Sequence, residues 1–278
     1  MDTSSPLDQL TAYAALYRES LPLIEPVPAG TIRPFWSVLI PTFNPSEALL
    51  TETLHSLLQQ DPGPEAMEIL VVDDGSADRT AEVVEELSKS YPVRLVKHEV
   101  NRGLGAAIST AVTTAVEGLY DDDIVVTMDA DNTHPPQLIS RMVPMIREGR
   151  DIVIASRFEP GGQVVGLSRF REVLSLGASW MMRLCFGVRG CKDYTCGYRA
   201  YRAGILRQAQ NRYHGQLVRE SGFASMAELL LNISKLGVVI GEVPLLLRYD
   251  LKKGDSKMRI GRTIYRTIAM VLRHRFGS

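Results

Sequence analysis

From Trp36 onward, short apolar runs alternate with longer amphipathic stretches. The runs "WSVLIP", "EILVVDDGS", "VRLVKH", "DIVVTMDAD" and "DIVIASRF" are rich in β-branched residues and stop at turn or polar residues, as buried strands do. Between them, "SEALLTETLHSLLQQ", "ADRTAEVVEELSKS" and "LGAAISTAVTTAVEGL" repeat apolar residues at helical spacing. Each begins near serine, aspartate or glycine, the residues that start helices. This alternation predicts right-handed βαβ units, hence an α/β fold whose mostly parallel sheet carries helices on both faces. Ligands of such sheets gather at the carboxyl ends of the strands.

Residues 1–35 read as an N-terminal helix, Leu7 to Tyr17, followed by a proline-marked linker, "LPLIEPVPAG", with no chemical signal. Residues 36–250 read as one α/β domain, and residues 251–278 as a cationic loop and a basic amphipathic helix. With 278 residues, 45% of them apolar, the chain is long enough to bury one substantial core. Lysine and arginine total 31 against 32 acidic residues, which gives no reason to expect nucleic acid as a partner. The three cysteines, Cys185, Cys191 and Cys196, lack paired metal-ligand spacing, and no secretory leader is read at the start. Reduced thiols in a cytoplasmic setting are therefore expected. No run of ~18 apolar residues occurs, so no helix is expected to span a bilayer.

Three strands end in residues that carry chemistry: Pro41-Thr42-Phe43-Asn44, Asp73-Asp74-Gly75-Ser76 and Asp129-Ala130-Asp131. In the predicted sheet all three ends share one rim. Asp74 before Gly75-Ser76 fits a turn former as well as a ligand. The pair at 129 and 131 is harder to explain structurally, because two close carboxylates repel unless a cation compensates. In extended backbone, alternate residues point to one side, so both could face one ligand while small Ala130 lets the backbone approach. Oxygen-only ligands favour Mg²⁺ or Mn²⁺ bridging to a diphosphate. "NRGLGAA" places glycines at a helix start, which suits either phosphate on its amides or a tight structural turn. It fits neither G-x-G-x-x-G nor G-x-x-x-x-G-K-[ST].

"VLIPTFNP", "ILVVDDGSADRT", "NRGLGAA" and "MDADNTHPP", in this order, resemble the nucleotide-sugar domain of the inverting glycosyltransferase family 2, which has the GT-A fold, a Rossmann-like α/β sheet. "SRFEPGG", "RFREVLSLGAS", "DYTCGYRAYR", "EVP" and "GDSKM" resemble its polyprenyl-phosphate mannosyl- and glucosyltransferase branch. The likeness covers roughly residues 36 to 258. It implies a nucleoside held by Pro41, Phe43 and Asp73, with Asp73 reading the base. It also implies ribose or diphosphate on Asp129 and metal on Asp131, with Asp129 and Thr133 completing the candidate metal set. The chain departs from the family in having Phe43-Asn44-Pro45 after the first strand, without the frequent glutamate. Thr133 stands where some members have a glutamine metal ligand.

A polyprenyl phosphate is already an anionic nucleophile, so its site needs cations and hydroxyls more than a base. Arg157, Arg171 and Ser175 match the family's acceptor-phosphate positions. Arg171 and Ser175, four apart on a predicted helix, share a face, and guanidinium groups grip phosphate bidentately. Asp193 matches the base position of hydroxyl-using relatives; here it is expected to order the acceptor site or bond neighbouring arginines. Ser256 and Lys257 match the loop that closes over the donor diphosphate, with Arg248, Lys252 or Lys253 as candidate substitutes where Leu251 fills the arginine slot.

The helix "VGLSRFREVLSLGASWMMRLCFGV" is expected to lie in a membrane interface or to pack into the core with snorkelling arginines. In "RIGRTIYRTIAMVLRHRF", Arg259, Arg262, Arg266 and Arg273 form one face, expected on anionic lipid; Ile260, Ile264, Ile268 and Val271 form another. The expectation is therefore a metal-dependent transferase moving a hexose, mannose favoured, from a nucleotide sugar to a polyprenyl phosphate. GDP-mannose is the first donor and UDP-glucose the second. Its place is expected to be peripheral, on the cytoplasmic inner face of the membrane, with the chain's end suggesting a peripheral type, an oligomer or a truncated chain. The alternatives are a family 2 enzyme acting on a hydroxyl acceptor, and a nucleotide-sugar sensor or membrane-surface scaffold.

Overall fold

The computed structural model describes residues 36–45, 47–60, 67–167, 169–222, 224–251 and 260–276. The expected N-terminal helix and linker, and the loop carrying Lys252, Lys253, Ser256, Lys257 and Arg259, lie outside the described residues.

β1 (Trp36–Thr42), α1 (Glu47–Leu58), β2 (Met67–Asp73), α2 (Thr80–Ser88), β3 (Val93–Lys97), α3 (Leu104–Gly118) and β4 (Ile124–Thr127) alternate as the sequence pattern requires. A 3₁₀ turn (Pro136–Leu138) leads into α4 (Ile139–Arg147), β5 (Ile152–Ser156) and β6 (Gln163–Val165). Then follow α5 (Arg169–Phe186), β7 (Arg199–Arg202), α6 (Ala203–Arg212), α7 (Ser225–Ser234), β8 (Ile240–Pro244), β9 (Leu246–Arg248) and α8 (Ile260–Phe276).

Among the described residues, seven strands form one sheet in the order β3-β2-β1-β4-β7-β5-β8, and β6 pairs with β9 in a small parallel sheet. Every pairing in the large sheet is parallel except those of β7, which runs antiparallel to both β4 and β5. The chain steps outward from β1 to β2 and β3, then returns to the other side of β1 as β4. The direction of winding thus reverses between β1 and β4, and the crevice above their carboxyl ends is where such sheets bind ligands. Val38, Leu39, Ile40, Val125 and Val126 are fully buried there, which makes the floor of that crevice rigid.

The β7 strand was not foreseen, because Arg-Ala-Tyr-Arg does not read as a buried strand. Arg199 is nevertheless completely buried, donating from one guanidinium nitrogen to the Tyr194 carbonyl (2.7 Å) and from another to that of Met226 (2.6 Å). Two carbonyls take the hydrogen bonds that a carboxylate would otherwise supply.

The glycine-rich turn is structural. Gly103 has φ +90°, and a Cβ on Gly105 would lie 1.9 Å from the Glu220 carbonyl, so only glycine lets the segment around Glu220 pass this close. Asp74 takes the Arg102 and Gly103 amides at 2.9 and 2.7 Å and bonds His98 at 2.7 Å. It is therefore a turn-holding residue rather than a ligand.

α8 departs from the sequence expectation in orientation. Arg273, expected on lipid, donates to Glu220 (2.7 Å) and Glu228 (3.2 Å), and Arg266 bonds the Ser221 hydroxyl. The side chains of Ile260 and Arg262 are outside those described. Val271, expected on the apolar face with Ile264 and Ile268, is buried, whereas those two are exposed beside Tyr265 and Leu272. Glu228 explains the reversal. Nearly fully buried on α7, its carboxylate also accepts the Arg219 and Glu220 amides, each at 2.7 Å, and burial of that charge recruits cations from the nearest helix.

Candidate active site

The crevice rim is built from three loops. After β1, Asn44 adopts φ +41°, donates its N–H to the Ser76 hydroxyl (2.8 Å) and accepts the Ala77 N–H on its side-chain oxygen (2.9 Å). This fastens the first strand's loop to the second's. Asp73, the last residue of β2, is fully buried: its Oδ1 takes the Ser76 N–H at 2.9 Å, and its Oδ2 has no hydrogen-bond partner among the described residues. A buried carboxylate oxygen without a donor is costly and suits a ligand N–H. Pro41 is half-buried beside it and the Phe43 ring is exposed at the rim.

After β4, Asp129 is exposed, Ala130 buried and Asp131 half-buried, in a bend that follows the strand rather than the extended backbone expected. Thr133 donates its hydroxyl to Asp131 Oδ1 at 2.6 Å and its amide at 3.3 Å. Its hydroxyl proton is thus committed to orienting the carboxylate. Asn132, at φ +56°, donates its N–H to Thr53 of α1 (3.1 Å), and the Asp129 N–H reaches His134 Nδ1 (3.2 Å). His134 in turn stacks on Tyr198, ring centroids 5.0 Å apart, and the Tyr198 hydroxyl donates to the Pro135 carbonyl. The sequence pattern assigned no role to Asn44, His134 or Tyr198. The only signal was the "THPP" that follows the acidic pair.

After β5, Arg157 meets Asp193 bidentately: Nε to Oδ2 and one Nη to Oδ1, both 2.7 Å. The second Nη reaches the Ser175 hydroxyl at 3.1 Å, and the first also donates to Thr195 at 2.7 Å. Asp193 is fully buried and the Arg157 side chain 11% exposed. Burial alone would lower the guanidinium's pKa and raise the carboxyl's. The mutual charge and hydrogen bonds overcome burial in both, so Arg157 is pushed further up and Asp193 is held below the usual carboxylate range. Burial pushes the neighbouring Cys196 thiol up to about 12 and raises Cys191 as well, so both stay protonated.

Arg157 and Ser175 are thus brought together as expected. Arg171 lies four positions before Ser175 on α5, its side chain outside those described.

Two short segments join the acidic rim to the arginine. Asp193 and Gly197 are four residues apart, and Gly197 sits where a Cβ would come within 3.5 Å of Asp129 Oδ1; its carbonyl accepts the Thr127 hydroxyl at 2.7 Å. On the other side the Arg248 N–H reaches the Thr133 carbonyl at 3.3 Å, while the next residue, Tyr249, interacts electrostatically with Arg157. The acidic rim and the Arg157–Asp193 pair are therefore linked through short stretches of chain. Such an arrangement can hold a diphosphate at one end and a second anion at the other.

A sheet wound this way, with carboxylates at its rim, suits a nucleotide-binding enzyme, and sequence similarity places the protein among the glycosyltransferases. Residues 37–209 match the model of Glycosyl transferase family 2, and the chain belongs to that family. It is 34% identical over 239 residues to the dolichol-phosphate mannosyltransferase of Pyrococcus furiosus, covering 85% of this chain but only 62% of that protein's length. It is 35% identical over 235 residues to the polyprenol monophosphomannose synthase of Mycolicibacterium smegmatis, covering 82% of this chain and 83% of that one. The fold is the GT-A fold of glucosyl-3-phosphoglycerate synthase from Mycobacterium tuberculosis, solved with Mn²⁺, UDP and glucosyl-3-phosphoglycerate. The TM-score is 0.63 at 19% identity, covering 99% of this chain and 85% of that one.

The Asp193 carboxylate stabilises the fold wherever it is charged. Because its native pKa is depressed, that stabilisation is complete above the unfolded value of ~3.9 and is lost as pH falls through the lower native value. Asp193→Asn, which leaves Arg157 buried without a counter-charge, is expected to cost ~3–5 kcal/mol at neutral pH. In urea titrations the gap between variant and wild type shrinks below about pH 4; equal midpoints at pH 7 would contradict the pairing.

Proposed function

We propose that the protein transfers a hexose, mannose first, from a nucleotide sugar to a polyprenyl phosphate with inversion at the anomeric carbon. GDP-mannose is the first donor and UDP-glucose the second. The observation that carries this reading is the state of Asp193. A hydroxyl acceptor needs a general base with a pKa near working pH, yet this carboxylate has both oxygens on Arg157 and a depressed pKa. A phosphate acceptor brings its own negative charge and needs only to be held. The names of the Pyrococcus and Mycolicibacterium relatives support the same acceptor class.

In this reading Arg157, Arg171 and Ser175 grip the acceptor phosphate and aim one oxygen at the sugar carbon, opposite the departing nucleoside diphosphate. The C–O bond to that diphosphate breaks as the new one forms, which inverts the centre. Pro41 and Phe43 flank the nucleoside, and Asp73 Oδ2 takes a base N–H. Asp129 serves ribose or diphosphate, and Asp131, oriented by Thr133, faces the metal position. Lys257 offers positive charge and Ser256 a hydroxyl to the diphosphate.

The donor set fits Mg²⁺ or Mn²⁺. Asp129 and Asp131, on alternate residues, would supply hard oxygen ligands, and such ions commonly keep water and phosphate oxygens in their remaining positions. Bound there, the ion supplies charge stabilisation to the leaving diphosphate. The Mycobacterium tuberculosis neighbour, solved with Mn²⁺ or Mg²⁺ and UDP, supports this.

Membrane attachment is the second part of the proposal. No helix among the described residues is long and apolar enough to cross a membrane. Yet α5 exposes Leu176, Trp180 and Leu184, and α8, packed beside it, exposes Ile264, Tyr265, Ile268 and Leu272. Arg183, Arg189 and Arg275 are exposed near the ends of these two helices. Apolar side chains bordered by cations suit the interface of an anionic leaflet, here the inner face. Ser175 stands on the same helix as the exposed tryptophan, so the acceptor's phosphate and its lipid tail are served by one element.

Labelled GDP-mannose, undecaprenyl phosphate and Mn²⁺ are expected to give lipid-extractable label, reduced ~10³-fold or more in Asp131→Ala with the fold intact. Label appearing only on hydroxyl acceptors, with any common donor, would overturn the reading. In flotation with anionic vesicles, Trp180→Ala combined with Leu184→Ala is expected to weaken binding ~100-fold, from ~1.5 kcal/mol per exposed side chain. Unchanged partitioning would remove α5 from the membrane contact.

A further inference from the structure

The buried pair at the acceptor end rests on a second carboxylate. Glu242 lies on β8, beside β5, the strand that ends just before Arg157, with Ile154 opposite Glu242 in the register. One of its oxygens, Oε1, accepts two consecutive backbone amides, Lys192 at 2.5 Å and Asp193 at 2.9 Å. Those amides open the loop that carries Asp193. The same loop is pinned at three further points. The Ser179 hydroxyl of α5 donates to the Lys192 carbonyl (2.5 Å), Arg199 holds the Tyr194 carbonyl (2.7 Å), and the Tyr194 hydroxyl accepts the Val188 N–H (3.0 Å). The Lys192 ammonium then pairs with Glu159, two residues past Arg157.

A neutral carbonyl would satisfy two amides at less cost. Here a charged group is used next to another carboxylate. Burial pushes the Glu242 carboxyl above its ordinary range; the two amides pull it down and the Asp193 charge pushes it up again. The links run in one direction: Glu242 fixes the Asp193 backbone, Asp193 fixes the Nε–Nη edge of Arg157, and the other Nη of Arg157 is left toward Ser175.

We infer that Glu242 is a positioning residue for the acceptor phosphate: by holding the Lys192 and Asp193 amides it sets the carboxylate that aims Arg157 across the cleft. The inference rests on the proposed acceptor class for its kinetic effect, but its structural step does not.

Three variants test it in the full-length protein. Glu242→Gln keeps a carbonyl oxygen at the same reach and is expected to retain acceptor KM within about threefold, as a rescue by shape. Glu242→Ala removes the acceptor of both amides and is expected to raise KM for undecaprenyl phosphate ~10-fold or more, with donor KM unchanged. Glu242→Asp, which withdraws the carboxylate by one methylene, is expected to behave as the alanine variant, and it serves if the alanine variant does not fold. A readout independent of turnover is the Arg157 Nε–H resonance in ¹H–¹⁵N spectra, assigned by its loss in Arg157→Lys. It is expected to shift and exchange faster in Glu242→Ala and Glu242→Asp, and to stay put in Glu242→Gln. An unmoved Arg157 resonance in the alanine or aspartate variant overturns the positioning role, whatever the acceptor. Donor and acceptor KM rising together would also overturn it, by marking a general structural defect. If the resonance moves while the wild type ignores undecaprenyl phosphate, the acceptor assignment has failed and the positioning step stands.

Discussion

A guanidinium taken out of water must find a counter-charge and partners for its N–H groups, and at the end of β5 Asp193 answers both demands for Arg157. This constraint organises the acceptor half of the molecule. The loop bearing Asp193 has to arrive at the sheet's rim at the right height, which engages β8 through Glu242, α5 through Ser179 and β7 through Arg199. The antiparallel insertion of β7 between β4 and β5 is what brings that loop back across the carboxyl edge. Once paired, the carboxylate is held below its ordinary pKa range with both oxygens on the guanidinium.

The other end of the cleft follows a different logic. There the carboxylates are at the rim, one exposed and one half-buried, and their supports are neutral: the Thr133 hydroxyl, the His134 ring and the Thr53 hydroxyl. Repulsion between them is tolerated where water reaches both. Negative and positive ends are tied together by four residues of chain, from Asp193 to Gly197, so their α-carbons cannot be more than about 14 Å apart.

Much of this was legible in the sequence. β1 to β5 and α1 to α3 follow from uninterrupted apolar runs and helical spacing, because a parallel sheet buried on both faces leaves no other pattern. The aspartates at the strand ends and the match of Arg157 and Ser175 to acceptor positions also came from sequence, and the structure brings those two together. What escaped depends on partners distant in the chain. β7 was hidden by Arg199, whose burial is made possible by carbonyls at 194 and 226. Helical spacing gave α8 two faces but not the choice of which turns inward, and that choice is made by Glu220 and Glu228. Asn44 and Glu242 stand in the quoted stretches "VLIPTFNP" and "EVP", but they act through backbone amides, which their residue types do not announce.

Whether the acidic rim and the Arg157 cluster serve one cleft is measured most directly by ³¹P relaxation of a short-chain polyprenyl phosphate bound to the protein together with Mn²⁺ and a nucleoside diphosphate. A shared cleft predicts strong, distance-dependent acceleration of the acceptor's phosphorus signal, lost in Asp131→Ala. Acceleration confined to the nucleotide's phosphorus signals, with the bound acceptor unaffected, would contradict it.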